Sequence, residues 1–194
     1  GGRRIIKKKT KAWLPFGEET MLQRVVRTMS EVVSPIVIVA APDQDVPPVP
    51  KEVLIVRDEP EGLGPLAGLA AGLTALAGVA DAAYVSSCDV PLLTSAFVRA
   101  VIDQLGDHEL VVPREEGYHH PLAAVYRTSL GVRCAELLAE GRRRPFDLMS
   151  TSNAREIDVD ELRAVDPDSH SLRNANTPEE YAALLDLAGL GPST

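Results

Sequence analysis

Four short apolar runs punctuate the chain: residues 35–41 (PIVIVAA), 53–56 (VLIV), 82–88 (AAYVSSC) and 110–113 (LVVP). None of them alternates strictly with polar residues. Each therefore predicts a strand covered on both faces, the usual pattern of a parallel sheet between helical layers. Helical patterns lie between them. In 20–30, Met21, Leu22, Val25, Val26 and Met29 share one face, and Thr20 with Gln23 spells a capping box. In 94–105, Phe97, Val98, Val101, Ile102 and Leu105 repeat the pattern after the N-cap candidate Thr94. A less regular stretch follows, with a strand expected over 121–127, a helix over 128–140 stopped near Gly141, and a short strand over 156–159. Near the end, Thr177, Pro178, Glu179 and Glu180 are strong helix-start signals. Strand–helix alternation predicts an α/β fold with right-handed crossovers and a mostly parallel central sheet.

At 194 residues the chain is sized for a single domain, and 45% hydrophobic content argues against bulk disorder. Aromatic residues are only 4%, so the core has to be built from Val, Leu, Ile and Ala. The two cysteines, Cys88 and Cys134, are too few for a disulfide framework or a zinc site and read as reduced, buried thiols of a cytoplasmic protein. No signal peptide opens the chain. Residues 62–80 carry no charge, but five glycines and many alanines make a buried helix the better reading than a membrane span. The net charge is −8, yet residues 1–11 hold six of the 20 basic residues and none of the 28 acidic ones. An acidic body argues against nucleic-acid binding. The basic tip fits a phosphate site, a polybasic tail or an altered terminus.

Several residues can carry chemistry. Gly1-Gly2, with Lys11 nine positions on, fits a backbone loop and a cation approaching phosphates, or simply a frayed basic end. A glycine turn of this kind ordinarily follows a first strand, so native residues upstream of Gly1 are expected. Asp58 ends the second strand, and Gly62, Gly64, Gly68 and Gly72 follow. For Gly68 and Gly72, close helix packing is favoured; Gly62 and Gly64 suit a ligand-facing turn equally well. Asp89, in Cys88-Asp89-Val90-Pro91, ends the third strand where α/β folds bind ligands. Mg²⁺ takes one or two carboxylates plus phosphate oxygens, so Asp89 suits a metal–nucleotide site, or else caps a turn. His119 and His120 are adjacent on a strand and point to opposite faces, which favours a substrate contact from one over shared chelation. Arg142, Arg143 and Arg144 either complement a helix dipole or grip an anion. No nucleophile motif supports covalent acyl chemistry.

Together these segments resemble the molybdenum cofactor guanylyltransferases, within the nucleotidyltransferases that include sugar-nucleotide pyrophosphorylases. The likeness runs through Gly1-Gly2 with Lys11 and Ala12-Trp13-Leu14-Pro15-Phe16-Gly17, then Asp58 before Gly64-Pro65-Leu66-Ala67-Gly68, then Cys88-Asp89-Val90-Pro91. His120-Pro121-Leu122-Ala123 and Asn174-Ala175-Asn176-Thr177-Pro178-Glu179-Glu180 complete it. It implies a Rossmann-like, three-layer nucleotidyltransferase fold, with a nucleotide-binding half over 1–105 and an acceptor-binding half over 106–194. It also implies Mg²⁺-dependent transfer of GMP from GTP to the terminal phosphate of molybdopterin, with release of pyrophosphate. By the same resemblance, Gly1, Gly2, Lys11, Asp58, Gly64 and Asp89 serve the nucleotide, with Lys11 and Asp89 catalytic and Asp89 the metal ligand. His120, Pro121, Arg143, Asn174 and Asn176 serve the acceptor. Contact with other proteins of molybdenum cofactor synthesis or use follows, and neither nucleic acid nor membrane is implied. The loop departs from the family's pattern: Arg4, Ile6, Lys7 and Lys8 stand where Ser, Arg, Met and Gly are usual, and Ala40 stands near a usual Asn. The departures keep open a CTP- or sugar-phosphate-using enzyme and a catalytically degenerate nucleotide binder.

Overall fold

The computed structural model describes residues 11–58 and 64–191. A two-residue hairpin, β1 (Pro15–Phe16) and β2 (Glu19–Thr20), leads into helix α1 (Met21–Ser30). The capping box forms as its sequence predicts. Thr20 Oγ1 accepts from Gln23 N, and Gln23 Oε1 accepts from Thr20 N at 2.8 Å. Strands β3 (Val37–Ala40) and β4 (Leu54–Arg57) then pair in parallel, and helix α2 (Pro65–Leu76) packs on β3. Gly68 and Gly72 face that strand. A Cβ on Gly72 would stand 3.3 Å from Val39 Cγ2, so the glycines let the helix approach closely.

The larger sheet is built from β5 (Ala82–Ser86), β6 (Leu110–Glu115), β7 (Tyr118–His119), β8 (Ala123–Arg127) and β9 (Ala154–Asp158). Strand β8 runs antiparallel between β5 and β6, β7 pairs antiparallel with the end of β6, and β9 runs parallel to β6. The mostly parallel sheet expected from the apolar runs is therefore corrected to a mixed one among the described residues. The physical reason lies in what such runs report. They show that both faces are covered, which antiparallel strands satisfy equally well when helices lie on each side.

That coverage is visible in the core. Tyr84, Val111 and Val125 pack with Phe97, Val98 and Val101 of helix α3 (Ser95–Ile102). Their strand neighbours Leu110, Val112, Ala124 and Tyr126 pack oppositely, against Leu66, Leu69 and Leu73 of α2 and Leu130, Cys134 and Leu137 of α4 (Leu130–Ala139). Successive residues thus serve opposite layers, as the pleat requires. Cys134 is buried, which pushes its thiol up to about 11; Cys88 and Cys134 are not joined in a disulfide. Helix α4 ends at Glu140, followed by Gly141 at φ +78°. A short helix α5 (Pro145–Met149) precedes β9, and α6 (Pro178–Leu187) closes the fold behind the expected Thr177 cap. Among the described residues, no helix is long and apolar enough to cross a membrane.

Helices α2 and α4 touch most closely at Gly131, where a Cβ would lie 3.1 Å from Thr74 Oγ1 and 3.3 Å from Thr74 N. Gly131→Leu is expected to cost about 1–3 kcal/mol by overpacking. A urea titration would show this as a lower midpoint at unchanged slope; an unchanged midpoint would mean the two helices part without cost.

Candidate functional site

The site begins at the end of β5. Beyond Ser86 the chain leaves the sheet, and Ser87, Cys88 and Asp89 follow at its carboxyl end, where α/β folds place ligands. Asp89 is buried and makes four separate attachments. Its Oδ2 accepts from Lys11 Nζ at 2.6 Å. Its Oδ1 accepts from Asn174 Nδ2 at 2.8 Å and from the Ser87 hydroxyl. Its main-chain oxygen accepts from Ala175 N at 2.9 Å. Burial on its own would push this carboxyl up. The hydrogen bonds from Lys11, Ser87 and Asn174, with the Lys11 charge, outweigh that effect and hold it below the usual carboxylate range.

Lys11 is also buried, and its ammonium donates a second bond, 2.7 Å long, to Asn176 Oδ1. The two asparagines flank Ala175 and both reach the Lys11–Asp89 pair, while Ala175 is fully buried with Phe16, Met21 and Leu184. The cap of α6 fixes Asn176 further. Glu180 Oε2 accepts from Asn176 N at 2.9 Å and from Thr177 N at 3.1 Å. Lys11 is held against α1 by a turn, with Leu14 N donating to Lys11 O and Leu22 N to Ala12 O.

One further segment is bonded to this centre, and another meets the start of α2. His120-Pro121-Leu122 interrupts the antiparallel return along β6 and is tied in at three points. His120 N donates to Pro113 O, Tyr126 Oη to Pro121 O at 2.8 Å, and Ser87 N to Leu122 O at 3.3 Å. Burial lowers the His120 imidazole below its ordinary range, a shift that Glu115 opposes and His119 reinforces. On another side, Gly64 takes φ +83° at the N-cap of α2, and a Cβ there would meet the Arg143 carbonyl at 3.3 Å. The turn before α2 and the arginine segment therefore touch. Arg142 is engaged by Asp147 and Glu140, whereas Arg143 and Arg144 are exposed.

Of the residues singled out from sequence, Lys11, Asp89, Asn174 and Asn176 form one hydrogen-bonded cluster. His120 and Pro121 adjoin it through Leu122, and Gly64 adjoins Arg143. Asp58 stands apart from the cluster, beyond β4, with Oδ2 3.8 Å from where a Gly68 Cβ would be. Gly1 and Gly2, with Gly62, lie outside the described residues. Sequence reasoning missed Ser87. A hydroxyl two residues before an acid at a strand end was the signal that could have found it.

A single carboxylate with a lone pair still free, beside a side-chain amide oxygen, is a donor set that Mg²⁺ accepts when phosphate oxygens complete its shell. Asp89 and Asn176 fit that description. Among the described residues no group of three or more His, Cys, Asp or Glu side chains gathers at one point, so the fit is to a metal shared with a phosphate.

Residues 1–155 match the family model of the MobA-like NTP transferase domain. The chain is 37% identical over 186 residues to a probable molybdenum cofactor guanylyltransferase of Mycobacterium ulcerans, covering 93% of this chain and 87% of that relative. It is similar in fold to the molybdopterin-guanine dinucleotide biosynthesis protein A of Archaeoglobus fulgidus, with a TM-score of 0.74 at 19% identity over 92% of this chain and 90% of that one. It is also similar in fold to 2-C-methyl-D-erythritol 4-phosphate cytidylyltransferase of Thermus thermophilus, with a TM-score of 0.70 at 15% identity over 92% and 93% of the two chains.

Breaking the buried pair from one side leaves an unpaired buried charge. Asp89→Ala is expected to destabilise by about 3–5 kcal/mol, and Asp89→Asn by less, because the amide oxygen still receives the ammonium. The lowered carboxyl also sets a pH dependence. Its contribution is complete above the ordinary 3.8 and is lost as pH falls from there through the folded value. In urea titrations with chelator present, wild type should lose stability across that acid range more steeply than Asp89→Asn. Parallel acid limbs would show that the pair contributes nothing to folding.

Proposed function

The chain belongs to the MobA-like NTP transferase family, and from that premise we propose that it transfers GMP from GTP to molybdopterin and releases pyrophosphate. The terminal phosphate oxygen of the acceptor forms a new bond to the α-phosphorus. The bond from that phosphorus to the bridging oxygen of the β-phosphate breaks, and the electron pair leaves with pyrophosphate. Curated relatives at 37% identity along nearly the whole chain support the reaction. The observation that carries it to this site is the buried Lys11 ammonium, held beside Asp89 and Asn176.

In-line transfer between phosphates needs positioning and charge neutralisation rather than a protein nucleophile. Lys11 supplies a cation whose place is fixed before the nucleotide arrives, and it neutralises charge on the triphosphate. Asp89, with Asn176 beside it, holds Mg²⁺, which when bound neutralises phosphate oxygens as a Lewis acid. Ser87 and Asn174 orient the Asp89 carboxylate. Gly1, Gly2, Gly64 and Asp58 serve the nucleotide within the half spanning residues 1–105. His120, Pro121, Arg143, Asn174 and Asn176 serve the acceptor from the half spanning 106–194. Because Asn174 and Asn176 reach the Lys11–Asp89 pair, the acceptor-side residues also help define where the phosphates meet. We further read the enzyme as working in the cytoplasm, where other proteins of the cofactor's synthesis or use supply its acceptor and receive its product.

Pyrophosphate release measured with Mg²⁺, molybdopterin and each NTP in turn tests the reading. GTP alone should support release, and chelation of Mg²⁺ should abolish it. Release with CTP instead would move the chain to cytidylyl transfer, and nucleotide binding without release would make it a binder only. Asp89→Asn and Lys11→Met should each lower kcat by on the order of a hundredfold or more, measured where urea titration shows the variant still folded. Full turnover by either variant would overturn its assigned role.

A further inference from the structure

The chain has three phenylalanines, and two of them, Phe16 and Phe97, are fully buried. Phe146 is 59% exposed, although aromatic residues are scarce in this sequence. It is not loose. Its short helix α5 is anchored from beneath by buried Pro145, Leu148 and Met149. The entry to that helix is fixed by Asp147, whose carboxylate accepts from Arg144 N at 3.1 Å and from Arg142 Nε at 3.3 Å. The ring is thus presented to solvent on a rigid mount.

It is also partnered on one side. The Phe146 and His119 rings lie 6.1 Å apart between centroids, inclined at 52°. The His119 imidazole sits with Nε2 3.2 Å from Glu156 Oε1, close enough for an ion pair when protonated but off the hydrogen-bonding line. Next to it, the His120 ring meets Tyr118 edge-on at 5.1 Å. The His120 Nε2 atom is buried without a hydrogen-bond partner.

This aromatic group joins the site through its histidine end, and its phenylalanine end leads back to the arginine segment. His119 leads directly into His120-Pro121-Leu122, and Leu122 O is bonded by the amide of Ser87, the residue whose hydroxyl holds Asp89. Phe146 follows Arg143 by three residues, and the Arg143 carbonyl abuts Gly64. A ligand with a flat, conjugated ring at one end and a phosphate at the other could lay the ring on Phe146 and send its phosphate along the exposed arginines toward Lys11. The nucleotide is already assigned to the opposite half of the chain in the reading above.

We propose that Phe146, backed by His119, is the stacking wall for the pterin ring of the acceptor and thereby a determinant of acceptor affinity. The assignment rests on the guanylyl-transfer reading for the identity of the ring. Aromatic faces hold flat heterocycles with little regard to their edge groups, so the wall supplies affinity.

The test uses Phe146→Ala, Phe146→Leu and Phe146→Trp in the full chain. Phe146→Leu keeps an apolar side chain but removes the π-face; Phe146→Trp enlarges it. Equilibrium binding of molybdopterin without nucleotide should weaken on the order of tenfold in the Ala and Leu variants and hold or tighten with Trp. In turnover, KM for molybdopterin should rise similarly in the Ala and Leu variants, with KM for GTP unchanged. Urea midpoints close to wild type would confirm that the variants are folded, as expected for an exposed side chain. Equal acceptor affinity in all four proteins, or a rise in KM for GTP instead, would overturn the proposal. Wild type that binds molybdopterin with this same ranking yet releases no pyrophosphate would leave the stacking wall standing and the transfer reading fallen.

Discussion

The buried pair between Lys11 and Asp89 is the contact on which the site's construction depends. Its partners are 78 residues apart in sequence, and neither is freely reached by water. Two desolvated charges offset their lost hydration only when the geometry is close and the remaining lone pairs and protons are satisfied. Here they are. Ser87 and Asn174 take up Asp89 Oδ1, Asn176 takes a second proton of the ammonium, and Ala175 N binds the Asp89 main chain. Each of those partners comes from a segment that must be correctly placed for the pair to form. The pair therefore ties the turn after residue 11, the end of β5 and the entry to α6 into one unit.

The same arrangement suits phosphate chemistry. A carboxylate at 2.6 Å and an amide oxygen at 2.7 Å hold the ammonium in a fixed place. In the proposed reaction an incoming triphosphate would exchange one anionic partner for another, so the cation would not need to be stripped of water on binding. Preorganisation of this kind is where electrostatic catalysis gains over bulk solvent.

How far the sequence led differs by level. Helix starts were legible residue by residue, because caps are local chemistry: Thr20 with Gln23, Thr94, and Thr177 with Glu180 all form the predicted bonds. Strand positions were legible from apolar runs, but strand direction was not. Direction depends on connections such as the return of β8 beside β5, and a run such as 82–86 reads alike in either sense. At the site, the order of short motifs singled out Lys11, Asp89, Asn174 and Asn176 before any geometry was known. Their joining into one cluster was not visible, since it depends on both asparagines reaching the pair from either side of Ala175, which lies in the core. Phe146 was silent for a different reason: a lone phenylalanine in a sequence reads as core, and only its exposure sets it apart.

Segments distant in sequence meet at more than the ion pair. Gly64 occupies a left-handed conformation, and its missing Cβ leaves room for the Arg143 carbonyl. Any side chain there would face both backbone strain and contact with a main-chain oxygen that cannot rotate away. A glycine at this turn therefore sets how near the Arg142–Arg144 segment can lie to the start of α2. Under the proposed assignment of nucleotide and acceptor residues, the separation between the two substrates is set in part by packed backbone. A reaction that depends on bringing two phosphates into line gains most from such fixed spacing, because misplacement of about 1 Å can cost on the order of a hundredfold in rate.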